Sequence, residues 1–165
     1  MQHPMWTQWS ELLNDPAFSD RACDVETNET GQLIVTPVSD NHSFYSFEIG
    51  YLLKQHLPEG IVQVETPLVT SKGNKSPDVT WCSQGIHEQR KNTIESPLAP
   101  EICVEVLSPG NQKAEIDEKI ELYFEQGAEE VWICDLEGRI TFYILKIGLT
   151  ALSHKDPKFP KKIEL

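Results

Sequence analysis

The sequence predicts an α/β (α+β) fold, with mixed strands around one central sheet flanked by helices. Three observations lead there. Apolar, β-branched runs occur at 61–69, 77–82 and 101–107, with stretches of helical spacing before the first and after the last of them. A helix-patterned segment lies between two late strands, 101–107 and 131–135. The chain has 165 residues, 39% hydrophobic, and at that length about 70% of the unfolded surface can be buried around one core. One domain over residues 1–165 is expected.

Taken in order, Trp6, Trp9, Leu12 and Leu13 share the face of a short helix that Asp15-Pro16 stops. After a polar stretch, Gly31 precedes a strand at Leu33-Ile34-Val35, ended by Pro37. Asn41 is the expected cap of a helix in which Tyr45, Ile49, Leu52, Leu53 and His56 recur, and Pro58-Glu59-Gly60 ends it. Residues 61–69 read as one strand, 71–74 as a turn and 77–82 as the next strand. The segment 84–100 is polar and aperiodic, so a loop or a poorly formed helix is expected there. Residues 101–107 are the most β-like of the chain. Ser108-Pro109-Gly110 breaks them, and a helix runs to Gln126 with Gly127 as its C-terminal cap. Strands at 131–135 and 140–147, joined by a turn at Glu137-Gly138, complete the order.

Charge and composition limit the partners. Fourteen basic and 26 acidic side chains give 14 − 26 = −12, a field that repels nucleic acid and anionic membranes at long range, although local patches can oppose it. No apolar run approaches the roughly 20 residues of a membrane-spanning helix. The first residues lack the pattern of a secretion signal, so a soluble, cytoplasmic protein is expected. Cys23, Cys82, Cys103 and Cys134 form no CxxC pair and have no histidine nearby. Free thiols, buried as small hydrophobes in a reducing compartment, are expected.

The chemistry centres on Glu105. In the strand 102–107, residues 102, 104 and 106 face one side and 103, 105 and 107 the other. Both sides are apolar except at Glu105. A buried carboxylate needs a cation, whether lysine, arginine or metal. A structural salt bridge is the ordinary reading of such a glutamate taken alone. Asp78, at the head of the preceding strand, is a second acid, and an aspartate there is also a common turn cap. If the two strands are neighbours, the carboxylates can converge on a hard divalent cation such as Mg2+. Without a cation between them they would repel and one would tend to protonate. The helix after Ser108 carries an apolar stripe of Ile116, Ile120, Tyr123 and Phe124. Lys119 and Lys113 both lie beside it, and periodicity does not choose between them.

Other chemistries lack support. Around Lys75-Ser76, the glycine positions of a phosphate loop are held by Val69 and Asn74. There is no GxSxG elbow, no HExxH and no GxGxxG.

Several segments occur in an order that resembles a known family: Ser76-Pro77-Asp78-Val79, Val104-Glu105-Val106-Leu107-Ser108-Pro109, Glu118-Lys119-Ile120-Glu121-Leu122-Tyr123, Gly127, and Val131-Trp132-Ile133-Cys134-Asp135. Glu26, followed by Gly31 to Val35 and Pro37, resembles the same family's N-terminal signature, and His42 falls where it often has a histidine. This is the Uma-two family of restriction endonucleases, within the PD-(D/E)XK nuclease superfamily. The resemblance covers roughly residues 8 to 150. It implies a restriction-endonuclease-like core and Mg2+- (or Mn2+-) dependent hydrolysis of phosphodiester bonds in DNA. Asp78, Glu105 and Lys119 would be catalytic, and Asp78, Glu105 and Glu26 would hold the metal, with the Val106 carbonyl. The superfamily pattern places lysine two residues after the second acid, where this chain has Leu107. The family's lysine lies on the following helix, which selects Lys119 over Lys113.

Two rivals come from other classes. One is a non-catalytic nuclease-fold protein that binds nucleic acid or a protein partner. The other is a structural domain in which Asp78, Glu105 and Lys119 form a buried ion network, marked by a lysine bonded to both acids with no room for water. A nuclease requires positive potential near its cleft despite the −12 total. Lys72, Lys75, Arg90, Lys91 and the C-terminal lysines are the candidates to supply it, joined across a homodimer if one forms.

Overall fold

The computed structural model describes residues 23–165. The expected helix of Trp6, Trp9, Leu12 and Leu13 lies outside them. The elements are β1 (Cys23–Thr27), β2 (Leu33–Pro37), α1 (Asp40–His56), β3 (Ile61–Val64), β4 (Leu68–Thr70), β5 (Gly73–Lys75), β6 (Val79–Cys82), α2 (Gln84–Arg90), β7 (Ile102–Val106), α3 (Lys113–Glu125), β8 (Glu130–Cys134), β9 (Ile140–Ile144) and β10 (Gly148–Thr150). A six-stranded sheet has the order β10-β9-β8-β7-β6-β3. Only β7 and β8 are parallel, joined by α3, while the other pairs are antiparallel. The hairpins β1-β2 and β4-β5 are separate two-stranded sheets. The expected mixed central sheet with flanking helices is therefore present.

The parity of β7 sorts the core into two layers. Ile102, Val104 and Val106 pack with Tyr45, Ile49 and Leu53 of α1, with Trp132 and Phe142 behind them. Phe159 and Ile163 of the C-terminal segment close that layer. Cys103 faces the other way, with Val131 and Ile133, against Ile116, Ile120 and Tyr123 of α3. Every residue of β7 and β8 is buried, which is why these runs read as continuously apolar rather than alternating.

Two expectations are corrected, one open alternative is decided, and two strands are added. The run 61–69 is not one strand. Glu65 turns to a left-handed φ of 47°, and the Glu65 and Thr66 amides still donate to the Asp78 and Pro77 carbonyls. Pro67 then has no N–H to continue the ladder, and the chain leaves to form β4. Ser39, not Asn41, caps α1, accepting from the His42 amide. Part of 84–100 is the short helix α2, capped by Ser83. Its seven residues are too few to show a period. Strands β1 and β10 were not expected, because Cys23-Asp24-Val25-Glu26-Thr27 is mostly acidic or polar and Gly148–Thr150 is a three-residue edge. Cys82, Cys103 and Cys134 are buried free thiols. No helix of the described residues is long and apolar enough to cross a membrane.

Candidate active site

The register of the sheet brings two acids face to face. Val79 of β6 opposes Val104 of β7, and continuing that antiparallel pairing by one residue sets Asp78 opposite Glu105. Both side chains are nearly solvent-free, at 3% and 4% exposure. Asp78 Oδ2 accepts from the Val106 amide at 2.6 Å. Its Oδ1 meets His42 Nε2, on the first turn of α1, at 3.1 Å.

The third acid comes from the β1-β2 hairpin, which the β4-β5 turn holds in place. Gly73 has φ +93°, and a Cβ there would sit 2.4 Å from the Thr27 carbonyl oxygen. The close approach therefore needs glycine twice over. Beside it, the Asn74 amide donates to Thr27 Oγ1 at 2.8 Å, and the Ser76 amide donates to Glu26 Oε1 at 2.9 Å.

Lys119 joins these parts. Its ammonium lies 2.9 Å from both Glu26 Oε1 and Glu105 Oε2, and the side chain is 4% exposed. Tyr123, one turn later on the same face of α3, donates its hydroxyl to Glu105 Oε1. Lys113 is exposed and pairs with Asp117. Of the residues named from sequence, Glu26, Glu105 and Lys119 thus form one bonded group, with Asp78 on the adjoining strand and bonded to His42 instead.

The electrostatics show an excess of acid. Burial first, then Asp78 and Glu26, push Glu105 up to about 8 although Lys119 opposes them. Asp24, two residues before Glu26, is pushed to about 9 by burial and by Glu26. Its Oδ1 is buried without a hydrogen-bond partner among the described residues. Burial and Asp78 raise Glu65 to about 7. Burial works against a charged His42, but its hydrogen bond to Asp78 and the surrounding acids outweigh that and raise it. Burial likewise opposes the Lys119 ammonium, and Glu105 and Glu26 overcome it, holding the group well above its ordinary value.

Sequence reasoning missed Asp24, Glu65 and the hydroxyl role of Tyr123. The i, i+4 spacing of Lys119 and Tyr123 was a usable signal for the last. Asp24 and Glu26 alternate as same-face residues of a strand, but only once β1 is known to be one.

All-oxygen acids in excess over cations, with one carboxylate oxygen unpartnered, are a donor set that suits a hard divalent cation. In the described residues no group of three or more His, Cys, Asp or Glu side chains is arranged to hold a metal ion, and Lys119 bridges Glu26 and Glu105.

Comparison with known proteins agrees with this architecture. No curated protein matches the chain. A crystal structure titled as that of a "putative nuclease" from Anabaena variabilis superposes with a TM-score of 0.66 at 17% identity, covering 76% of this chain and 74% of that one. This likeness establishes the fold. The model of the Uma2 family, described as "Putative restriction endonuclease", matches residues 11–148. That span contains every acid and lysine of the cluster, and the chain belongs to the Uma2 family.

Proposed function

We propose that the protein is a Mg2+- or Mn2+-dependent endonuclease that hydrolyses phosphodiester bonds in DNA. The observation that carries this reading is the gathering of Glu26, Asp78, Glu105 and Lys119 into one buried, acid-rich cluster beside an open cleft. Asp78 and Glu105 are the principal metal-holding acids, with Glu26 beside them. A divalent cation held by these acids would supply Lewis acidity toward the phosphate and would lower the pKa of a bound water.

The chain's own residues do the rest. His42 and the Val106 amide fix one oxygen each of Asp78, so its carboxylate keeps a single orientation. Tyr123 does the same for Glu105 Oε1. Lys119 Nζ has three N–H donors. With a cation sharing the acids, that ammonium would be free to donate to the water and the phosphate oxygens, where charge develops during hydrolysis.

A structural ion network is the second reading, favoured by the Lys119 bridge between two acids. The unpartnered Asp24 oxygen argues against it, since a network kept for stability satisfies its members.

The test is cleavage of supercoiled and linear duplex DNA in Mg2+, Mn2+ and EDTA. Asp78→Asn and Lys119→Met should each slow metal-dependent cleavage by about 100-fold or more. A folded wild type that cleaves neither substrate with either metal would overturn the proposal.

A further inference from the structure

We propose that Lys75 is a positioning residue that grips a backbone phosphate of the nucleic-acid strand beside the acid cluster, an inference that rests on the nuclease reading.

Lys75 ends β5, all of which is buried, and the residue is 6% exposed. Its ammonium donates to the Thr27 carbonyl at 3.0 Å. Among the described residues it makes no ion pair. An ammonium carries three donors, so one carbonyl leaves two N–H groups for another acceptor. Burying a charge for a single neutral acceptor is costly, and tethering the hairpin alone would need only a neutral donor.

Its surroundings supply the acceptor's identity. Lys75 lines a cleft of about 280 Å³ with Glu26, Lys72, Glu118 and Lys119. Lys119 is held between Glu26 and Glu105, and Lys72 by Glu118. Lys75 is therefore the lysine of this cleft whose charge no carboxylate has taken up among the described residues. The next residue's amide holds Glu26, so the backbone carrying Lys75 is fixed against a site acid. A phosphodiester offers anionic oxygens to such a donor and is repelled by the acids around it, so a cation set in the cleft wall decides where the strand lies.

Lys75→Gln keeps a donor for Thr27 and removes the charge, whereas Lys75→Met removes both. Binding of a 20-bp duplex is measured in Ca2+ between 50 and 200 mM salt, and steady-state cleavage in Mg2+. In Lys75→Gln the slope of log affinity against log salt should fall by about 0.9. KM should rise several-fold while kcat stays near that of the wild type. Lys146→Gln, at an exposed lysine on the turn between β9 and β10, should leave slope and KM unchanged. If Lys75→Met melts early, Lys75→Gln decides. A Lys75→Gln protein with wild-type slope and KM, beside a wild type that cleaves, overturns this inference and leaves the nuclease reading standing. A wild type that neither binds nor cleaves the duplex overturns both.

Discussion

Two glutamates on the neighbouring parallel strands β7 and β8 are almost equally buried, Glu105 at 4% and Glu130 at 1% exposure, yet their surroundings differ in kind. Glu130 accepts from Trp132 Nε1 at 2.8 Å, Ser153 Oγ at 2.7 Å, and the His154 and Lys155 amides at 3.0 and 2.6 Å. All four donors are neutral, both oxygens are satisfied, and the result ties the C-terminal segment to the sheet. Glu105 has one cation and one hydroxyl, and it faces other acids. Burial makes a carboxylate conspicuous. Whether its neighbours complete it or crowd it separates architecture from chemistry.

The largest stability effect should come from Glu130→Gln. Its amide nitrogen would face two donors that lose their acceptor, at about 1–3 kcal/mol each. Chemical denaturation should show a loss of about 2–6 kcal/mol. A Glu130→Gln protein as stable as the wild type would erase the distinction between the two sites.

Glu105→Gln should move stability by no more than about 1 kcal/mol in the metal-free protein, because Lys119 keeps Glu26 and a carboxyl crowded by other acids gives way to a neutral side chain of the same shape. Cleavage should nevertheless fall by about 100-fold or more. A loss of about 3–5 kcal/mol instead would mark Glu105 as one half of a structural pair.

A third difference lies in pH. Glu65 and Glu105 hold their protons more tightly in the fold, at about 7 and 8, than their ordinary value of 4.5. Their contribution to stability is complete below that ordinary value and is lost as pH rises through 7 to 8. His42, raised above 6.5, acts in the same direction. Lys119, held above 10.5, contributes evenly across this window. Thermal melts in EDTA should therefore fall from pH 5 to 8.5, and Glu105→Gln should flatten part of the slope.

The smallest effect belongs to Lys113. It is exposed and paired with Asp117 at i, i+4, so Lys113→Ala should leave the denaturation midpoint at the wild-type value. Cleavage should stay at the wild-type rate. A marked loss of cleavage would mean that the lysine of this site is not the one on the inner face of α3.

The strands β7 and β8 and the helices α1 and α3 were legible because their patterns are local: an unbroken apolar run, a 3.6-residue stripe, a glycine after the last turn. Period-two parity alone put Glu105 on the face opposite Val104 and Val106, and the packing follows it. Sequence could not say what meets Glu105 there. Lys119 and Lys113 both flank the apolar stripe of one helix, and only docking of α3 buries one and exposes the other. Likewise Asp24 and Glu26 sit in a run too polar to announce a strand. Their place beside Asp78 and Glu105 comes from the hairpin folding over β5. Local pattern determined which groups are unusual. Long-range pairing, set by strand register and the close approach at Gly73, decided which of them meet and how much acid gathers around one lysine.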